Sequence, residues 1–176
     1  MSRKLLAVVA TLSLTLAAPA WAARSTQSFP TTGVLTPGVS LAGVRIGFTA
    51  GQVIRRWGRN YAVCPRSQCT GSGTVWYFVY QRGEPLGAAV RFDRAGKVTA
   101  VFTLGSPTGW RTADGLLIGQ GVSDAQRMYG SNLAWSVCLG YGAMSMRNAT
   151  AVTSIYTYGE IVYGFALTSP GTPVCQ

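Results

Sequence analysis

Between Val98 and Leu104 the chain switches character every second residue. Val98, Ala100, Phe102 and Leu104 interleave with Thr99, Val101 and Thr103, the period of a strand with one face packed on a helix and the other more open. Gly87 to Phe92 precedes it, and the intervening Asp93-Arg94-Ala95-Gly96 has turn chemistry, so the two strands are expected to form a hairpin. Upstream, Thr74-Val75-Trp76-Tyr77-Phe78-Val79-Tyr80 is a run of β-branched and aromatic residues and predicts a third strand. Before that run the period lengthens. Val53, Ile54 and Trp57 line one side of a short helix, opened by a capping box of Thr49 and Gln52 and stopped at Gly58.

The same order recurs. Gly43 to Gly58 lies over Gly115 to Gly130 without a gap at an offset of 72, with Gly43, Ile46, Gly47, Arg55, Gly58 and Asn60 returning as Gly115, Ile118, Gly119, Arg127, Gly130 and Asn132. At an offset of 63, Gly96, Val98, Phe102 and Leu104 face Gly159, Ile161, Phe165 and Leu167. Self-similarity of this kind is the mark of repeated architecture. In the second copy Gly121 and Asp124 open the helix, and Ala151 to Tyr156, a turn at Thr157 to Gly159, and Ile161 to Leu167 supply strands. The expected fold is therefore α+β, two tandem repeats at 41–106 and 107–176, each a short helix followed by an antiparallel three-stranded sheet.

The N-terminal region reads differently. Arg3 and Lys4, the apolar stretch Leu5 to Ala18 and Ala20-Trp21-Ala22 follow the order of a secretory signal peptide over 1–22. The apolar stretch is shorter than the roughly 20 residues that cross a bilayer, so no transmembrane anchor is expected. Residues 23–40, rich in Ser, Thr, Pro and Gly, predict a flexible leader. Export to the medium, periplasm or cell envelope is the expected localisation.

Export changes the meaning of the charge and of the cysteines. Removing Arg3 and Lys4 from 15 basic residues leaves 13 against 5 acidic ones, a net charge of +8 that favours acidic partners. No basic run interleaved with aromatics is present, so nucleic acid is not an expected partner. Cys64, Cys69, Cys138 and Cys175 are an even set in an exported chain and are expected to form two disulfides. Of the three possible pairings, Cys64 with Cys69 and Cys138 with Cys175 keeps each bridge within one repeat. With no histidine and one close cysteine pair, neither a metal site nor another cofactor is expected.

Short motifs carry a family resemblance. Ile46 to Thr49, Val53 to Gly58, Trp76-Tyr77 and Phe92 to Val98 are similar to the Ile-Gly-x-Thr start, helix end, Trp-Tyr strand and Phe-Asp-x-x-Gly-Lys-Val hairpin of the SmpA/OmlA (BamE-like) domain. Two such units in tandem, each with a disulfide, resemble the β-lactamase inhibitory protein fold. The resemblance covers about Gly43 to Leu167 and bears on fold more than on function. The chain differs from BamE lipoproteins in having no cysteine just after the expected cleavage site.

Catalysis is not expected. The acids are Glu84, Asp93, Asp114, Asp124 and Glu160; Asp93 and Glu160 flank hairpin turns, and Asp124 sits in a first helical turn. A binding role suits the composition better. If helices cover one face of the joined sheet, the other exposes Tyr77, Arg91, Val101, Thr103, Arg147 and Tyr156, of which Tyr77, Arg91, Arg147 and Tyr156 have hot-spot chemistry. Arg55, Arg56, Arg59 and Arg127 are expected on the solvated side of the helices. The first function class is a non-catalytic protein-binding module for an extracellular or envelope protein, with inhibition of an extracellular enzyme as one form of it. The second is a cell-envelope structural protein held on anionic polymers by its basic surface.

Overall fold

A computed structural model describes residues 28–65, 69, 73–79, 87–130 and 133–176. The expected signal peptide, 1–22, and residues 23–27 of the expected leader lie outside them, as do Asn132 and Glu84.

Local chemistry sets the two helices. In α1 (Ala50–Trp57) the Thr49 hydroxyl accepts from the Gln52 N–H at 3.4 Å, and the Gln52 side-chain oxygen accepts from the Thr49 N–H at 2.7 Å. Two of the donors that a helix start leaves open are thereby satisfied. Val53 and Trp57, four residues apart, turn inward and are buried, and Gly58 at φ +80° ends the helix where a side chain would be strained. In α2 (Val122–Tyr129) glycine occupies the cap, so only the returning bond exists: Asp124 accepts from the Gly121 N–H at 3.2 Å.

The remainder is mostly β. A small sheet joins β1 (Val34–Thr36), β2 (Ser40–Leu41) and β7 (Arg111–Thr112) in the order β2-β1-β7, with β1 parallel to β7. The large sheet holds β3 (Tyr61–Val63), β4 (Thr74–Phe78), β5 (Gly87–Phe92), β6 (Val98–Leu104), β8 (Ala134–Val137), β9 (Gly142–Arg147), β10 (Val152–Tyr158) and β11 (Ile161–Thr168). Every pairing in it is antiparallel, in the order β3-β4-β5-β6-β11-β10-β9-β8.

This architecture overturns the expected α+β pair of helix-plus-three-strand units. Four strands of the large sheet follow each helix, and the eight share that one sheet, joined at β6 and β11. The additional strands escape pattern reading for a physical reason. β3 and β8 are short edges of three and four residues, and β9 is built from Gly, Ala, Met and Ser, which are not strong strand formers. The stretches matched at the offset of 72 run into α1 and α2, and those matched at 63 run from the preceding turns into β6 and β11.

The leader expectation is also corrected where the chain is described. Residues 34–36 form β1, and Leu35 is fully buried between strands. The Ser, Thr, Pro and Gly around it hide one inward-facing apolar position.

An aromatic cluster fills the space between the sheet and α1. The rings of Trp57 and Phe78 meet edge to face at 5.1 Å, Trp57 and Trp110 at 5.5 Å, and Phe29 packs on Trp57 at 5.3 Å. Trp57 donates its indole N–H to the Ala42 carbonyl at 3.0 Å, so burial leaves no donor orphaned. Trp110 similarly donates to Pro30 O at 3.2 Å, tying the N-terminal segment to the junction between the two halves.

Candidate functional site

Cross-strand register decides which side chains share a face, because neighbours in register point the same way and alternate along each strand. Val75, Arg91, Ala100, Thr168, Val152 and Arg147 are successive partners across β4, β5, β6, β11, β10 and β9. Tyr77, Ala89, Phe102, Ala166, Ser154 and Ser145 form the next row, and Leu104, Gly164, Tyr156 and Ala143 the one beyond. Tyr77, Arg91, Arg147 and Tyr156 therefore lie on one face, away from the helices. Val101 and Thr103 do not. They project to the helix side and are fully buried, which corrects the phase expected for β6.

That face carries its own apolar layer, and this is why the phase is hard to read. Phe102, Leu104, Ala100 and Ala166 pack with Tyr156, Cys138 and Ala143, flanked by Tyr77, Tyr141, Tyr163 and Val174. Both faces of β6 are thus buried, so alternation alone carries no sign.

The C-terminal residues lie on this layer. Tyr156 is fully buried and its hydroxyl donates to Val174 O at 2.6 Å. Tyr141 donates to Gln176 O at 2.9 Å and accepts from the Gln176 N–H at 2.8 Å, while Arg91 Nε donates to Gln176 Oε1 at 3.0 Å. Burial pushes the Tyr156 phenol well above its ordinary pKa; neighbouring Tyr141 adds to the rise and Arg91 opposes it. Tyr141 is raised for the same first reason, against the bond at Gln176. Tyr77 lies with its hydroxyl 3.5 Å from Cys69 Sγ. Arg147 stays exposed, roughly 19 Å from Arg91 by strand spacing. Tyr156 and Arg91 therefore serve the fold in this structure, while Arg147 faces solvent.

Two disulfides brace the chain, Cys64–Cys69 and Cys138–Cys175. They fit a protein of an oxidising, extracellular setting. No helix among the described residues is long and apolar enough to cross a membrane.

Sequence reading missed a second surface, at the β8 end of the sheet. Trp135 is 56% exposed, Val137 83% and Leu139 99%. Leu139 occupies the turn from β8 to β9. On one side of it Cys138 is tied by the disulfide, and on the other Tyr141 is held through Gln176. The Trp135 ring lies against Gly142, where a Cβ would come within 2.7 Å of it. The available signal was Trp135-Ser136-Val137 alternation ending in Leu139-Gly140, a short strand and turn with apolar residues where polar ones are usual.

No family model matches the chain, and no curated protein matches it. Among solved structures, it is similar to an extracellular protein containing a SCP domain from Bacillus anthracis str. Ames, with a TM-score of 0.50 and 10% sequence identity. The similarity covers 71% of this chain and 44% of that one, so the chain spans less than half of that protein's length. At this identity the likeness concerns the fold.

Proposed function

We propose that this chain is an exported, non-catalytic protein-binding module working in the medium, periplasm or envelope, and that its contact surface is the β8–β9 end of the large sheet. One observation carries the reading: Leu139 is 99% exposed on a turn fixed by a disulfide and a tyrosine clamp. A large apolar side chain in water gains nothing for the monomer, and presenting it rigidly reduces the ordering that a partner must impose. Trp135 and Val137 extend the apolar strip, and tryptophan is enriched among residues that dominate binding energy. Inhibition of an extracellular enzyme is the form of binding that such a braced loop suits, because it would enter a partner's cleft without reordering.

The test is a pull-down from the producer's envelope and culture fractions with the parent protein and with Leu139→Asp, washed at high salt. A protein retained by the parent and lost with Leu139→Asp is the expected result. Equal retention by both proteins, or release of everything by salt, would overturn the reading.

A further inference from the structure

A separate surface on the helix side of the molecule gathers positive charge. A groove of about 590 Å³ runs between the end of α1, the β1–β2 hairpin and β7, and Arg55, Arg56 and Arg111 are among the residues that line it. The residues come from two elements distant in sequence, so their meeting is a product of the fold rather than of a basic run. A neighbouring hollow of about 340 Å³, lined by Phe48, Gln52, Arg55 and Arg56, continues it along α1. Among the described residues, no carboxylate lines either hollow. Among the described residues, none of the three arginines has a carboxylate within ion-pair reach, whereas Arg127 on α2 pairs with Asp124.

The remaining chemistry of the walls is specific. Hydroxyl-bearing Thr32, Thr36 and Ser40 and the glycines at 33, 43 and 109 are also among the lining residues. Arg56 lies across Gly43, where a Cβ would sit 3.6 Å from its Cδ. Planar forked donors joined by hydroxyls satisfy the several oxygens of a phosphoryl group better than the two of a carboxylate. Three cations lining one groove also repel one another, and a bound polyanion relieves that repulsion.

We infer that this groove is a binding site for phosphate-bearing ligands, with Arg55, Arg56 and Arg111 holding the phosphoryl oxygens. The site lies apart from the β8–β9 surface and stands or falls independently of it.

The test titrates purified protein with inorganic tripolyphosphate and, separately, with polyglutamate, and measures retention on vesicles of phosphatidylglycerol against phosphatidylcholine. The variants are the double Arg56→Ala/Arg111→Ala, its lysine counterpart Arg56→Lys/Arg111→Lys, and a charge-matched control, Arg94→Ala/Arg147→Ala, outside the groove. All of these arginines are exposed, and near-ultraviolet circular dichroism checks that each variant folds. Tripolyphosphate binding should weaken by at least about tenfold in the groove alanine variant and by an intermediate factor in the lysine variant, as loss of charge-assisted hydrogen bonds implies. The control should change by less than about threefold, the effect of remote screened charge. Phosphatidylglycerol retention lost with the groove variant would identify a lipid headgroup as the source of phosphate, and tripolyphosphate binding without vesicle retention a soluble phosphate compound. Equal weakening by groove and control variants, polyglutamate binding as tight as tripolyphosphate, or no binding by the parent would each overturn the inference.

Discussion

The Tyr156 hydroxyl donates to the Val174 carbonyl at 2.6 Å, so a tyrosine on an interior strand of the sheet holds the C-terminal residues on its outer face. Removing only the hydroxyl isolates that contact. Tyr156→Phe should lower stability by about 1 kcal/mol, the usual net worth of one hydrogen bond, with the denaturant dependence unchanged. Urea unfolding monitored by tryptophan fluorescence measures it. A variant as stable as the parent would mean that the tail does not rest on Tyr156.

The two disulfides should differ in weight. Cys138–Cys175 spans 37 residues and Cys64–Cys69 spans 5. Chain entropy alone gives about 4 kcal/mol for the longer loop and about 2 kcal/mol for the shorter. Paired serine replacements should therefore rank Cys138→Ser/Cys175→Ser as the more destabilised, by equilibrium unfolding under non-reducing conditions. The same variant should also unmask Tyr141 and Tyr156 to solvent, read as a change in phenol titration. The reverse ranking would indicate that the C-terminal strap adds little to the folded state.

Alkaline titration tests burial of the phenols. Tyr129 is pushed up to about 12, chiefly by burial, with the Asp114 carboxylate adding to the rise and Thr112 pulling against it. Tyr156 is raised well above 10.0. A phenol whose folded pKa lies above its unfolded value keeps its proton longer in the native state. The unfolded chain then binds fewer protons above about pH 10, so unfolding free energy falls as pH rises. Stability should be level below pH 10 and decline between 10 and 12, with phenolate absorbance lagging behind that of the urea-unfolded chain. Coincident titration of the folded and unfolded chains would contradict the burial of Tyr129 and Tyr156.

What the sequence made legible follows from how strong each local signal is. Thr49 and Gln52 announced α1 because the capping box is a contact within four residues, and Thr74 to Phe78 announced β4 because β-branched and aromatic residues dominate it. β9 was not legible, since Gly142 to Arg147 becomes a strand only through pairing with β10 and β8. The sign of the β6 alternation was lost for a related reason: the tail residues Val174 and Cys175 give the outer face an apolar layer of its own. The placement of Arg55, Arg56 and Arg111 along one groove depends on the parallel pairing of β1 with β7, a long-range contact that no local pattern encodes.

The joint between β6 and β11 offers the sharpest test of the sheet as a single unit. Gly164 pairs with Leu104 across that joint, and a Cβ at Gly164 would lie 1.9 Å from the Thr103 carbonyl oxygen and 2.8 Å from its carbon. The obstacle is backbone of the adjoining strand, which cannot move aside without pulling β6 and β11 apart, so Gly164→Ala should destabilise by about 3 kcal/mol or more, the upper end for overpacking. Gly96→Ala is the matched control. Gly96 has φ +72° and nothing within 4 Å of the added carbon, so its cost is the strain of a left-handed backbone, about 1–2 kcal/mol. Equilibrium unfolding of both variants separates close approach from backbone conformation. A Gly164→Ala variant no less stable than Gly96→Ala would mean that β6 and β11 do not meet at this distance.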